Sequence, residues 1–204
     1  MLLLVATVVP AEETGPTAAD TLTTLLGATR TMRASVEQLT LDQDGREVQE
    51  FRASLILSKP DHFYFHATEP YERLMLTDGV RLWNYEPDLE QVTIDPFNSD
   101  YSSTPAMLLS ADSATLSEQF DILMTTQEGN ITRFVLYPLQ PDSLFIRLSL
   151  AFTGELLTEL QFENSLGQQT SMSFSDIETN IDLPEDTFRF EIPEGTDVID
   201  STVD

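Results

Sequence analysis

The sequence predicts a mostly β chain with a small share of helix, laid out as a continuous antiparallel meander. Three observations predict it. Apolar and polar residues alternate with period two over most of the chain. Turn chemistry separates the runs, at Asp44 and Gly45, Asp78 and Gly79, Gly129 and Asn130, Gly154, and Gly167. Helical periodicity is confined to one stretch near the start and one interruption in the middle. Closely spaced strands joined by tight turns favour a single sheet traced strand by strand.

Taken in order, residues 1–11 are apolar and too short to span a bilayer. They match the apolar centre of a secretory signal, with Val9 and Ala11 placed as the small residues before the cut, although no basic stretch precedes them. The remainder, 12–204, reads as one domain. A helix is expected over 18–30, where Leu22, Leu25 and Leu26 recur at helical spacing. Met32, Ala34 and Val36 then open the strands, followed by candidates at 48–57, 61–67, 72–77, 80–86, 89–95, 119–125, 131–137, 144–152, 155–163 and 168–175. The interruption lies between the sixth strand after the helix and the next. There Thr104 offers a capping hydroxyl, Pro105 suits a first helical position, and residues 112–118 suggest a second short helix. Such short helices must lie on something apolar to persist. Residues 187–199 close the chain with an extended strand and a turn.

Composition narrows the function. The chain carries 35 acidic against 10 basic side chains, a net charge of −25. Nucleic-acid binding is excluded, because phosphate contacts need basic patches, and anionic lipid surfaces repel such a chain. Acidity this strong fits either a saline medium that screens the repulsion or plain acidic solubility. There is no cysteine, hence no disulfide and no residue to lipidate.

Catalytic and metal chemistry find no clear home. His62 and His66 sit in a strand pattern, where about 3.3 Å per residue separates them by roughly 13 Å, too far to share an ion. Asp42 and Asp44 resemble the start of a calcium loop, but Gly45 comes two positions early, so a hairpin explains them better. No spacing singles out a carboxylate pair or a nucleophile. The unusual feature is apolar placement. Phe51, Ala53, Leu55 and Leu57 point one way, Phe63 and Phe65 add rings beside them, and Trp83, Tyr85 and Leu89 continue the series. A sheet with one apolar face needs a cover, and the few helices leave either a filled core or a cavity beneath them.

Several blocks, in this order, resemble the LolA family of periplasmic lipoprotein carriers. They are the hairpin at Asp44 and Gly45, the turn at Lys59 and Pro60 with Phe63 and Phe65, residues 76–93 with the single Trp83, 104–109, Leu166 to Gln168, and 188–199. The resemblance runs from about Ala18 to Ile199. It implies an incomplete antiparallel β-barrel, a strongly curved sheet closed by a lid of short helices, around an apolar cavity for lipoprotein acyl chains. It implies no enzyme and no cofactor. The implied partners are the lipoprotein cargo, the inner-membrane LolCDE exporter and the outer-membrane LolB receptor, and the implied compartment is the periplasm, for a protein expected to be a monomer. By residue matching, Leu22 and Leu26 on the first helix and Met107 and Leu108 on the second face the cavity as lid residues. Phe51, Leu55, Phe63, Phe65 and Trp83 form its floor.

Lys59 stands where the family usually carries an arginine that latches the closed lid. A lysine offers three donors on a compact charge in place of a planar five-donor fork, so a weaker latch is expected. A LolB-like receptor would need a lipidated cysteine, and a two-domain regulator of similar fold would need a second domain. A periplasmic binding module for a free lipid or another hydrophobic ligand is the alternative function.

Overall fold

Thr17 starts the first helix in the computed structural model, which describes residues 15–97, 105–111, 116–127, 130–141, 143 and 145–203. Its hydroxyl accepts from the Asp20 backbone N–H at 3.1 Å, while the Asp20 carboxylate accepts from the Thr17 N–H at 3.0 Å. This reciprocal pair satisfies two of the free donors at the helix start, and the Thr17 hydroxyl, donating to Asp20 Oδ2 at 2.7 Å, together with the Thr17 N–H holds the Asp20 carboxyl below its usual pKa. Helix α1 (Ala18–Gly27) buries Leu22 and Leu26. It stops short of the expected residue 30, because the Arg30 N–H donates instead to the Asn180 side-chain oxygen at 2.8 Å.

Every expected strand is present among the described residues. They are β1 (Thr31–Leu41), β2 (Glu47–Ser58), β3 (His62–Glu69), β4 (Arg73–Asp78), β5 (Arg81–Glu86), β6 (Gln91–Pro96), β7 (Phe120–Gln127), β8 (Ile131–Pro138), β9 (Phe145–Thr153), β10 (Leu156–Asn164) and β11 (Gln169–Thr179). The chain end adds β12 (Asp197–Asp200). The hairpin residues act as their chemistry demands. At the first turn Asp42 Oδ1 accepts from the Asp44 and Arg46 N–H groups, both at 2.9 Å, with Gly45 at φ +76°.

The meander is not continuous. The order across the sheet is β12-β6-β5-β4-β3-β2-β1-β11-β10-β9-β8-β7. Two antiparallel meanders, β1 to β6 and β7 to β11, meet where β1 pairs with β11, and β12 runs parallel to β6. The chain therefore leaves the sheet near one edge and re-enters at the other. Alternation along a strand carries no information about which strand becomes its neighbour, so this crossover was not legible locally. The result is a curved, open sheet of twelve strands among the described residues. Accumulated strand twist makes so wide a sheet curl.

The crossover brings helical turns onto the concave face. A 3-10 turn, Pro105–Ser110, replaces the α-helix expected there and touches β2 and β3. The Asp61 N–H donates to the Ser110 carbonyl at 2.9 Å, pinning that turn to the β2–β3 connection. Helix α2 (Leu116–Gln119) touches α1 and β7. The expected secretory segment, residues 1–11, the Thr104 cap and residues 112–115 lie outside the described residues.

Trp83, expected on the cavity floor, lies on the opposite face of the sheet. Cross-strand pairing sets Phe65 opposite Met75, but Tyr64 opposite Leu76 and Leu76 opposite Trp83. Trp83 thus shares the face of Tyr64, behind the sheet, and Tyr85 follows it. There it packs with Leu76, Val92 and Ile94, against Tyr64, Tyr85 and Phe190. The segment after β11 covers this second core, with Phe190 on Tyr85 at 5.4 Å and Phe188 edge-on to His62 at 5.2 Å between ring centres. Burial, helped by the nearby Glu72 charge, raises the Tyr64 phenol above its usual pKa. A slip of one residue in parity between strands moves a whole series to the other face.

Candidate functional site

The concave face is lined by one residue in two from each strand, and pairing brings them together. Leu57 faces Phe63 and Leu55 faces Phe65 across β2 and β3. Ala34 faces Leu55 and Gln38 faces Phe51 across β1 and β2, while Met172 of β11 faces Gln38. At the end of the sheet that carries the β2–β3 connection this face is filled. Leu22, Leu26, Leu55 and Leu108 are at most 5% exposed and belong to the main core. A space of about 20 Å³ remains beneath α1, bordered by Leu26, Leu109 and Lys59.

Toward the other end the same face opens into a cavity of about 590 Å³. This lies within the roughly 300–1,000 Å³ of typical ligand pockets. Phe51, Phe63, Phe65, Ala67, Met75 and Phe162 supply its apolar wall. Phe63 and Phe65 stack 6.2 Å apart along β3. Tyr71 and Leu89, both strongly exposed, stand with Glu72, Arg73, Glu86 and Asp88 among the polar and apolar groups of its border. Leu89, expected in a strand, instead ends the 3-10 turn Pro87–Leu89.

Of the predicted site residues, Phe51, Phe63 and Phe65 line this cavity. Leu22, Leu26, Leu55 and Leu108 do not; they plug its helical end. Trp83 lies on the opposite face, as described above. Met107 belongs to the 3-10 turn, and its side chain lies outside the described ones. The sequence reading missed the opposite wall, Gln38, Phe162 and Met172, as well as Arg73, Tyr71 and Met75. Ala67 continues the alternation of Phe63 and Phe65 and was legible in principle. Phe162 and Met172 were not, because only the β1–β11 pairing carries them across.

Lys59 connects the sheet to the helix. Its Nζ donates to the Leu26 carbonyl at 2.6 Å, in the last turn of α1, and its backbone N–H donates to the Arg30 carbonyl at 2.8 Å. Free carbonyls at a helix end accept cations readily. His66 Nε2 lies 2.8 Å from Glu72 Oε1, and His62 Nδ1 lies 2.8 Å from the Pro60 carbonyl. Among the described residues no group of three or more His, Cys, Asp or Glu could hold a metal ion, and no helix is long and apolar enough to cross a membrane.

Comparison with known proteins agrees with this architecture. Residues 27–191 match the family described as "Outer membrane lipoprotein carrier protein LolA". A Pseudomonas fluorescens protein named outer-membrane lipoprotein carrier protein is 40% identical over 178 residues, covering 87% of this chain and 86% of its own. A Pseudomonas syringae pv. tomato protein of the same name is 39% identical over 202 residues, covering 98% and 97%. One from Chromohalobacter salexigens is 39% identical over 181 residues, covering 89% and 86%. A crystal structure of an uncharacterized conserved protein from Thermus thermophilus shares the fold, with a TM-score of 0.57 at 14% identity over 90% of this chain and 96% of that one.

Proposed function

The chain belongs to the LolA family of outer-membrane lipoprotein carriers, which are non-enzymatic lipoprotein chaperones, and from that premise we propose that it works in the periplasm between the LolCDE exporter and the LolB receptor. It takes acyl chains from the first and delivers them to the second. The observation that carries this reading is the apolar cavity on the concave face, half open and half plugged by helices.

Each methylene removed from water contributes about 0.8 kcal/mol, so acyl chains cross an aqueous compartment only inside an apolar container. A cavity of about 590 Å³ is sized for a single small ligand. Several chains on one lipoprotein need more room. The proposed source is the helical end, where α1 and the 3-10 turn act as a lid and the sheet as an incomplete barrel. Cargo displaces Leu22, Leu26 and Leu108 from the core, and transfer lets them return. A lid of this kind needs two arrangements of similar energy, between which cargo shifts the population.

Lys59 is the proposed latch, supported by its bond to the Leu26 carbonyl. Lys59→Arg is expected to hold cargo-free protein closed more of the time and to slow the release of lipoproteins from spheroplasts, because apparent affinity falls with the open fraction. A release rate equal to that of the unaltered protein removes the latch.

The role itself is tested by adding purified protein to spheroplasts. Mature lipoproteins are expected in the supernatant, bound to the protein and able to pass to vesicles bearing LolB. Recovery of free lipid alone would favour a small-ligand binding module instead.

A further inference from the structure

Arg73 stands where the apolar wall of the cavity meets water, close to the exposed Tyr71 and Leu89. It is the sole basic residue among the described ones that line the cavity. Its Nη2 donates to Glu86 Oε1 at 2.6 Å, with the two side chains 52% and 34% exposed. A guanidinium presents five donors in one plane. One carboxylate partner fixes that plane and leaves donors for a second acceptor.

The charges around it decide what that acceptor is. Glu86 and Asp88 set two negative charges against the one of Arg73 at the cavity border, while the Glu72 carboxylate is turned to His66 on the other face. A carboxylate or phosphate head meets net repulsion there, whereas a neutral carbonyl meets a free donor without it. We propose that Arg73, oriented by Glu86, receives the ester carbonyls of an acylglyceryl unit whose chains fill the cavity, and that the neighbouring carboxylates turn away amphiphiles with anionic heads. This rests on the reading of the cavity as an acyl-chain site and assigns its polar end, so that the depth of chain insertion is set at the mouth.

The test uses three probes below their micelle thresholds at neutral pH and low salt. Diphenylhexatriene, a hydrocarbon that fluoresces only away from water, reports the apolar cavity directly. Monodecanoylglycerol and decanoate, which share one chain length, are titrated to displace it. Arg73→Gln is expected to weaken monodecanoylglycerol about fivefold, with Arg73→Lys restoring only part, while dye affinity stays as it was. Asp88→Asn is expected to strengthen decanoate about threefold, an effect that fades with added salt, and decanoate affinity equal to that of the unaltered protein overturns the exclusion of anionic heads. Unchanged glyceride affinity in Arg73→Gln, with dye still bound, overturns the assignment of Arg73 and leaves the cavity standing. Failure of the unaltered protein to bind dye or either lipid overturns the acyl-chain reading and this inference together.

Discussion

Phe134→Ala is expected to lower the unfolding free energy by about 3–5 kcal/mol, the usual cost of a cavity left by a fully buried ring. Phe134 is 0% exposed and meets Phe152 edge to face at 5.8 Å between ring centres. It faces Leu150 on one side and Met124 on the other and belongs to the main core. Urea unfolding reads the effect as a shifted midpoint with an unchanged slope. Because Phe134 does not border the open cavity, an apolar dye should bind the folded variant as tightly as the unaltered protein. A loss below about 1 kcal/mol would mean that the core around Phe134 is loosely packed, and the division of the main core into filled and open parts would fail.

Met75→Trp should act in the opposite way. Met75 faces Phe65 across β3 and β4, is partly exposed, and borders the cavity. A tryptophan there adds volume where the wall is open, so the overpacking penalty of about 1–3 kcal/mol seen in filled cores should be largely avoided. The added ring displaces about two methylenes of a bound chain at about 0.8 kcal/mol each. Affinity for a lipopeptide should therefore fall about tenfold with little change in the urea midpoint. Equal affinity in both proteins would place the bound chain elsewhere.

The contrast between these two residues follows from what the sequence did and did not reveal. Strand positions were legible because period-two alternation and turn residues such as Asp78 and Gly79 are local signals. Strand order was not, because the crossover from β6 to β7 depends on where distant strands pair. The same limit explains the site. Phe51, Phe63 and Phe65 lie on neighbouring strands joined by short turns, so their shared face could be read off. Trp83 lies two hairpins further on, where a single change of parity moved it behind the sheet. Leu22, Leu26 and Leu108 were legible as buried helical residues, but helical spacing does not tell a plug from a cavity wall. Arg73 and Glu86 read as ordinary surface charges, since only the pairing of β4 with β5 sets them together at the cavity border.

The acidity also has a structural expression. The arginines at 33, 46, 52, 73, 133 and 147 each lie within salt-bridge distance of a carboxylate, most of them at exposed positions where a pair contributes little. With 35 acidic side chains in all, the surplus negative charge is left to solvent and its counterions.

Photo-crosslinking from the two faces of one sheet tests the central claim most directly. With p-benzoylphenylalanine placed at Phe65 or at Trp83, the protein would be loaded with a lipoprotein and irradiated, and the adducts mapped by mass spectrometry. Adducts on the acyl chains from position 65 and none from position 83 are expected, because the first lines the concave cavity and the second is buried behind it. Acyl adducts from position 83, or none from position 65 in a loaded protein, would contradict a cargo site on the concave face.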